Sequence, residues 1–236
     1  MPAATTSSPP KAETVFEGAA GMQVDEPLFP IQNDEDANDK FGRVLIIACG
    51  ALAREIIAVR DLNGLDHVDL TCLPAQLHNT PDKIPDEVRR TILLHKDAYS
   101  EILIGYGDCG TGGLLDKVLE ETGAKRIEGA HCYAFFSGLE EFDKLAEEEL
   151  GTFYLTDFLA RHFQSMVIEP LGLDWHPHLR DMYFAHYKRL VYLAQTDNPD
   201  LERAAREAAE RLELTFEIRR TGYGLLSGFL GAEAER

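Results

Sequence analysis

The chain has 236 residues, and 44% of them are hydrophobic, which is enough apolar surface for a folded core and excludes disorder throughout. Its 41 acidic residues against 23 basic ones give a net charge of -18, which argues against nucleic acid or an anionic membrane surface as a partner. No apolar run approaches the roughly 20 residues that span a bilayer. The first residues lack the basic-then-apolar pattern of a secretory signal, so we expect a cytoplasmic protein with reduced cysteines.

The N-terminal segment differs in composition from the rest of the chain. Residues 1–41 hold eight acidic residues and two lysines, and they begin with a stretch rich in Ser, Thr and Pro. This composition predicts a disordered acidic tail, with a regulatory or partner-binding segment as the alternative. Residues 42–236 are then predicted to form an α/β metal-binding domain.

The first half of that domain alternates predicted strands and helices. Arg43–Ala48 is a continuous apolar run, typical of a parallel strand that is covered on both faces. Further strands are predicted at 67–72, 101–106 and 125–127, and helices at 51–60, 81–95, 114–121 and 139–149. Alternation of this kind with short connections predicts a mostly parallel, Rossmann-like sheet with helices on both faces.

The second half is less regular. Residues 153–163 and 178–187 are rich in aromatic side chains, and we interpret them as a helical insertion. A strand at 189–195, a helix at 199–212 and a strand at 214–219 follow. A glycine-rich end at 221–231 closes the predicted domain.

The four cysteines fall at regular positions in this pattern. Cys109 and Cys132 lie 60 residues after Cys49 and Cys72, respectively, and each of the four is predicted to lie at the carboxyl end of a strand. Carboxyl ends of parallel strands share one edge of a sheet, and open α/β sheets bind their ligands at that edge. Thiolates gathered there are soft ligands, suited to zinc or to an iron–sulfur cluster.

Two histidines lie beside these cysteines. His78 precedes a predicted helix on the loop after Cys72, and His131 adjoins Cys132. Because no C-x-x-C pair is present, the ligands would come from separate loops, as in catalytic metal sites. We therefore predict that Cys49, His78, Cys109 and Cys132 bind the metal, whereas membership of Cys72 and His131 stays open.

Other interpretations of the cysteines remain. Buried cysteine is a common core residue, and that interpretation suits Cys72 best. A reversible disulfide between Cys49 and Cys109 would instead make the protein a thiol redox sensor. Glu55 is interpreted as a surface partner of Arg54, or as a buried residue that supports the site.

A glycine-rich loop follows the third predicted strand. Its amides could bind an anionic ligand or cofactor, and Gly107, Asp108, Gly110 and Gly112 are the candidate binding residues. The loop lacks the Lys-Ser/Thr of a P-loop and the spacing of a dinucleotide fingerprint.

Four short motifs together resemble a family of uncharacterised bacterial and archaeal proteins. They are Ala-Cys-Gly-Ala-Leu-Ala-Arg-Glu (48–55), Leu-His-Asn-Thr-Pro (77–81), Tyr-Gly-Asp-Cys-Gly-Thr-Gly-Gly (106–113) and Gly-Ala-His-Cys-Tyr (129–133). Members of the family are often encoded beside corrinoid-dependent methyltransferase components. The resemblance covers residues 43–231 and implies the same site positions, with a setting in corrinoid or one-carbon methyl transfer.

Two functions of different kinds follow from these observations. The first is a metalloprotein, which as an enzyme would use its metal to lower the pKa of a thiol substrate and hold its thiolate for methyl transfer. The second is an accessory protein without chemistry of its own, which binds a small-molecule ligand or escorts a corrinoid protein.

Overall fold

The computed structural model describes residues 42–234, with side chains up to residue 230. The predicted acidic tail, residues 1–41, lies outside the described residues. Within the described range, no helix combines the length and the apolar character that crossing a bilayer requires.

The first half of the described chain forms a four-stranded, entirely parallel sheet. Its spatial order is β2-β1-β3-β4. The strands are β1 (Val44–Cys49), β2 (Val68–Leu73), β3 (Glu101–Gly105) and β4 (Lys125–Arg126). This order places the point where the chain reverses its direction of winding between β1 and β3, and ligands of doubly wound sheets bind at that point.

Helices connect the strands of this sheet. Two short 3₁₀ segments, Gly50–Leu52 and Ala75–Asn79, follow closely on β1 and β2, and a third, Pro81–Lys83, leads into a helix. The α-helices of this half are α1 (Ala53–Leu62), α2 (Ile84–His95), α3 (Leu114–Thr122), α4 (Cys132–Ser137) and α5 (Leu139–Glu148).

The central strand, β1, is buried along its whole length, as its unbroken apolar run predicts. Its residue Ala48 pairs with Gly105 of β3. A Cβ atom on Gly105 would lie 2.8 Å from that of Ala48, so only glycine permits this close approach. The two strands on either side of the reversal point are therefore packed tightly where the site begins.

The second half forms a separate, three-stranded parallel sheet of order β5-β6-β7. The elements are β5 (Thr152–Thr156), α6 (Asp157–Arg161), a π-helical turn (Gln164–Ile168), α7 (Leu179–Tyr183), β6 (Arg189–Ala194), α8 (Pro199–Leu212), β7 (Thr215–Arg220) and α9 (Leu225–Ala234). Arg189 ties the amino ends of the strands together through hydrogen bonds to Thr152 and Glu217.

The structure confirms the α/β class with parallel strands and surrounding helices, but the strands divide into two sheets. The predicted helix at 153–163 is wrong over its first four residues, because Phe153–Thr156 belongs to β5. Tyr154 and Phe158 have the four-residue spacing of a helix, but Thr152–Thr156 pairs with β6 and so forms a strand. Part of the glycine-rich end is helix α9.

One cysteine lies in a different element from the one predicted. Cys132 does not end a strand: β4 stops at Arg126, and Cys132 is the first residue of α4. Between the end of β4 and α4 the chain passes through Gly129, whose φ is 141°.

Candidate metal centre

The cysteines and histidines gather at the carboxyl edge of the first sheet. Cys49 is the last residue of β1, and Cys109 lies in the loop after β3. His78 comes from the 3₁₀ segment that follows β2, and His131 and Cys132 begin α4. Four separate segments therefore supply these side chains to the point where the winding of the sheet reverses.

His78 has different surroundings at its two ring nitrogens. Its Nδ1 atom lies 3.2 Å from the carbonyl oxygen of Ala75 and 3.6 Å from the Sγ atom of Cys49. Its Nε2 atom is buried and has no hydrogen-bond partner. An imidazole that donates one N–H to a carbonyl and leaves the other nitrogen free has the arrangement typical of metal-binding histidines.

The backbone holds Cys109 in an unusual conformation. Its φ is +49°, in the left-handed region that non-glycine residues rarely adopt. The amides of Asp108 and Cys109 donate to the carbonyl oxygens of Gly129 and Ala130, at 3.1 and 2.9 Å. These bonds join the loop after β3 to the segment before α4, so Cys109 and Cys132 are held on adjacent stretches of backbone. Strained residues of this kind concentrate at functional sites.

His131 and Cys132 complete the cluster. The Sγ atom of Cys132 lies 3.4 Å from Nδ1 of His131, and the same nitrogen accepts a hydrogen bond from the amide of Tyr133. Ligand atoms of His78, His131 and Cys132 all lie within 4.8 Å of one another. Zinc ligands in a tetrahedral site lie about 3.3–3.8 Å apart, so small side-chain rotations would close the set on an ion.

Within the cluster, the pKa values of Cys109 and His78 are shifted in opposite directions. Hydrogen bonding from Cys132, helped by His78 and opposed by burial, lowers the pKa of Cys109 to about 4. Burial lowers the pKa of His78, but its interactions with Cys109 and Cys49 outweigh burial and raise it to about 10. In the absence of a metal ion, these opposite shifts favour a thiolate at Cys109 and a protonated imidazole at His78.

The groups around this ion pair stay neutral. The hydrogen bond to the Cys109 thiolate, together with burial, raises the pKa of Cys132 well above its ordinary value. Burial lowers the pKa of His131, and burial together with the nearby cysteines raises that of Tyr106. The ring of Tyr106 stacks on that of His78, with centroids 6.4 Å apart.

Cys72 differs from the other three cysteines. It is half-buried within β2, where it pairs with Ala48, and none of the hydrogen bonds among the described residues involves its sulfur. Burial, with a smaller contribution from Cys49, raises its pKa to about 12, so its thiol stays protonated. These properties are those of a core residue.

The amides of the glycine-rich loop are occupied by a side chain of the loop itself. The carboxylate of Asp108 accepts hydrogen bonds from the amides of Gly112 and Gly113, at 3.1 and 2.8 Å, and from the hydroxyl of Thr111. These bonds outweigh the effect of burial, which raises the pKa of Asp108, and lower that pKa overall. The position of a bound anion is thus taken by Asp108. Gly107 instead allows two backbone segments to approach closely, because a Cβ atom there would lie 3.0 Å from the backbone of Gly129 and His131.

Of the four predicted ligands, His78 and Cys132 lie with His131 in one group of ligand atoms within 4.8 Å of one another. Cys49 contacts the Nδ1 side of His78, Cys109 lies on the loop that is hydrogen-bonded to the segment before α4, and Tyr106 stacks on His78. The adjacency of His131 to Cys132 was a visible signal for His131. Tyr106 was missed, and its position immediately after β3 was the signal available for it.

The fold and the site define a parallel α/β protein with a buried thiol–imidazole cluster at the reversal point of its first sheet. The chain belongs to the family DUF1638, described as proteins of unknown function, whose sequence model matches residues 72–230. This match confirms the resemblance to an uncharacterised family. It includes every member of the cluster except Cys49, which precedes the matched residues. No curated protein and no solved structure matches the chain.

Proposed function

We propose that the protein binds a zinc ion at this cluster. The observation that carries the proposal is the buried Nε2 atom of His78, which has no partner and belongs to a group of thiols and a second imidazole. A buried polar atom without a hydrogen bond is costly, and a metal ion is the partner that such a set of donors suits.

The proposed ligands are His78 through Nε2, His131, Cys132 and Cys109. The first three have ligand atoms within 4.8 Å of one another. Cys109 is proposed as the fourth ligand because its loop is hydrogen-bonded to the segment before α4 and because Cys132 and His78 lower its pKa. Two thiolates and two imidazoles form a common zinc set.

Cys49 has a different role in this proposal. It lies at the Nδ1 side of His78, away from the nitrogen that would bind the ion. Its sulfur also accepts a hydrogen bond from the amide of Ala51, at 3.4 Å. We therefore assign Cys49 to orienting the His78 ring, as residues behind a metal ligand commonly do.

The finer proposal concerns the reaction. Zinc held by dispersed ligands lowers the pKa of a bound thiol and keeps it as a thiolate. Together with the family resemblance, this chemistry favours activation of a thiol substrate in corrinoid-linked methyl transfer. The accessory protein without catalysis is the alternative.

Metal quantitation on protein purified without oxygen tests the zinc site. We expect about one equivalent of zinc per chain in the wild type. Cys132→Ser and Cys109→Ser should lose the metal, whereas Cys72→Ser, the same change outside the cluster, should retain it. His78→Gln should lose the metal, and the matched control His95→Gln, at the end of α2, should not.

Two results would reject the zinc proposal. One is less than about a tenth of an equivalent of any transition metal in the wild type, since a structural or catalytic zinc site is normally filled. The other is a brown protein with bound iron and sulfide, which would assign an iron–sulfur cluster to the same thiolates.

A thiol redox function is the second candidate, and the interaction between Cys109 and Cys132, each of which shifts the pKa of the other, favours it. Two neighbouring thiols can form a disulfide by losing two electrons and two protons to an external oxidant. Mass spectrometry after mild oxidation of metal-free protein would detect a Cys109–Cys132 bond. A redox function predicts that the bond forms reversibly and that wild-type protein is isolated without metal.

A further inference from the structure

A cleft lies at the carboxyl edge of the second sheet, separate from the cysteine and histidine cluster at the first sheet. Its volume is about 510 Å³, and its lining includes Arg54 and Glu55 of α1, Asp157 and Arg161 of α6, and Thr196 after β6. Because β5, β6 and β7 are parallel, this is the edge at which such a sheet binds ligands.

The floor of the cleft is fixed by Asp157. This residue is 2% exposed, and its carboxylate accepts hydrogen bonds from the hydroxyl of Tyr192 at 2.7 Å and from the backbone amide of Gln195 at 3.0 Å. The hydroxyl of Thr196 donates to its second oxygen. With both oxygens engaged, Asp157 joins the ends of β5 and β6 into a rigid base.

Two other charged groups in the cleft have unmet hydrogen-bonding capacity. Glu55 is 5% exposed, and its Oε2 atom is buried without a partner. The Nη1 atom of Arg161 is likewise buried without a partner. The interpretation of Glu55 as a surface partner of Arg54 is therefore wrong, because Glu55 is buried and Arg54 is exposed. Native proteins rarely leave such groups without a partner, and a bound water, ion or ligand commonly provides it.

The charges of the lining residues indicate which ligand could form hydrogen bonds with Glu55 and Arg161. Arg161 requires an acceptor, preferably an anion, and Arg54 adds a second guanidinium to the lining. Oε2 of Glu55 can accept a hydrogen bond from the ligand. A multiply charged anion is disfavoured, because Glu55, Asp157 and Asp197 also line the cleft.

We infer that this cleft binds a small organic acid whose carboxylate contacts Arg161 and whose neighbouring hydroxyl or amino group donates to Glu55. The volume suits a compact metabolite, since ligand pockets are commonly about 300–1,000 Å³. The inference does not rest on zinc binding, so either one can fail without the other.

Binding of four probes to the full-length protein tests this inference. L-lactate and L-alanine carry the carboxylate and a neighbouring donor, propionate lacks the donor, and inorganic phosphate is the competing anion. Chemical-shift perturbation in ¹⁵N-labelled protein measures each affinity and places each probe. We expect lactate or alanine to bind about tenfold or more tightly than propionate, with shifts at the ends of β5 and β6.

Two variants and a matched control complete the design. Arg161→Met and Glu55→Leu should each weaken binding of the preferred probe about tenfold or more. Arg60→Met makes the same change as Arg161→Met on α1 outside the cleft, and it should bind like the wild type. Thermal unfolding checks that each variant is folded, and Glu55→Leu remains informative if Arg161→Met is not.

The results separate the possibilities. Preference for lactate assigns a hydroxy acid, and preference for alanine assigns an amino acid. The inference is overturned if no probe binds, if phosphate alone binds, or if Arg161→Met and Glu55→Leu bind as well as the wild type.

Discussion

The Sγ atom of Cys49 contacts Nδ1 of His78, the same nitrogen that faces the carbonyl oxygen of Ala75. A residue that orients a ligand has a smaller effect on metal binding than the ligand itself. We therefore expect Cys49→Ser to weaken zinc binding by about 10–100-fold, whereas Cys132→Ser abolishes it. Competition with a coloured chelator measures both affinities, and Cys72→Ser provides the unperturbed reference. Complete loss of zinc in Cys49→Ser would instead make Cys49 a ligand.

Glu55 gives a prediction about stability and pH. Burial, with a contribution from Asp157 and against the effects of Arg161 and Arg54, raises the pKa of Glu55 to about 7 from 4.5. The folded protein therefore holds this proton more tightly than the unfolded chain does. Stability is lost as the pH rises from about 4.5 to about 7, and the loss persists above pH 7.

Replacement of Glu55 by glutamine removes that ionisation. Above pH 7 we expect Glu55→Gln to be more stable than the wild type by roughly 2–3 kcal/mol, and the difference should vanish near pH 4.5. Urea unfolding at a series of pH values measures it. The exposed Glu141→Gln is the control, and an equal effect of both substitutions at every pH would contradict the assignment.

Among the helices, strands and loops, the contact between the loop after β3 and the segment before α4 controls the site. Gly107 packs against Gly129 and His131 so closely that an added methyl group would lie 3.0 Å from their backbone atoms. We expect Gly107→Ala to separate Cys109 from Cys132. The result should be weaker zinc binding and a loss of about 1–3 kcal/mol in the free energy of unfolding.

Chelator competition and urea unfolding measure these two effects. Gly228→Ala is the matched control, because a Cβ atom added there would meet no atom within 4 Å and alanine favours a helix. Unchanged zinc affinity in Gly107→Ala would show that the loop contact does not position the ligands.

Local sequence predicted most elements of the first sheet. Val44–Cys49 and Glu101–Gly105 are apolar runs bounded by turn residues, so their strands required no distant information. The predicted helix at 153–163 failed over its first residues because Phe153–Thr156 pairs with the distant strand β6, which the local spacing does not show. Helix α8 was predicted at 199–212, the bounds that the structure shows. Asn198 caps its start, because the Asn198 side chain accepts hydrogen bonds from the amides of Asp200 and Leu201.

For the molecule as a whole, the proposed ion would join three segments that are distant in sequence, around His78, Cys109 and Cys132. Binding that occurs only in the folded state stabilises it, by about 2.7 kcal/mol at a metal concentration 100 times Kd. We expect chelation to lower the Tm of the wild type by roughly 5–10 °C.

Differential scanning calorimetry with and without chelator, followed by zinc addition, tests this effect. Cys132→Ser should unfold at the same temperature in all three conditions, whereas Cys72→Ser should respond like the wild type. Equal Tm values for wild-type protein with and without chelator would contradict a site that links these segments.

The sequence by itself determined the parallel α/β class and the residue types at the carboxyl edge of the first sheet. Apolar runs specify buried strands locally, and short crossover connections force their carboxyl ends to one side. Only the tertiary structure decided that the strands divide into two sheets, that Nε2 of His78 is the free nitrogen, and that Glu55 and Arg161 share a cleft. These features depend on which surfaces pack together, and no short stretch of sequence encodes contacts between such distant segments.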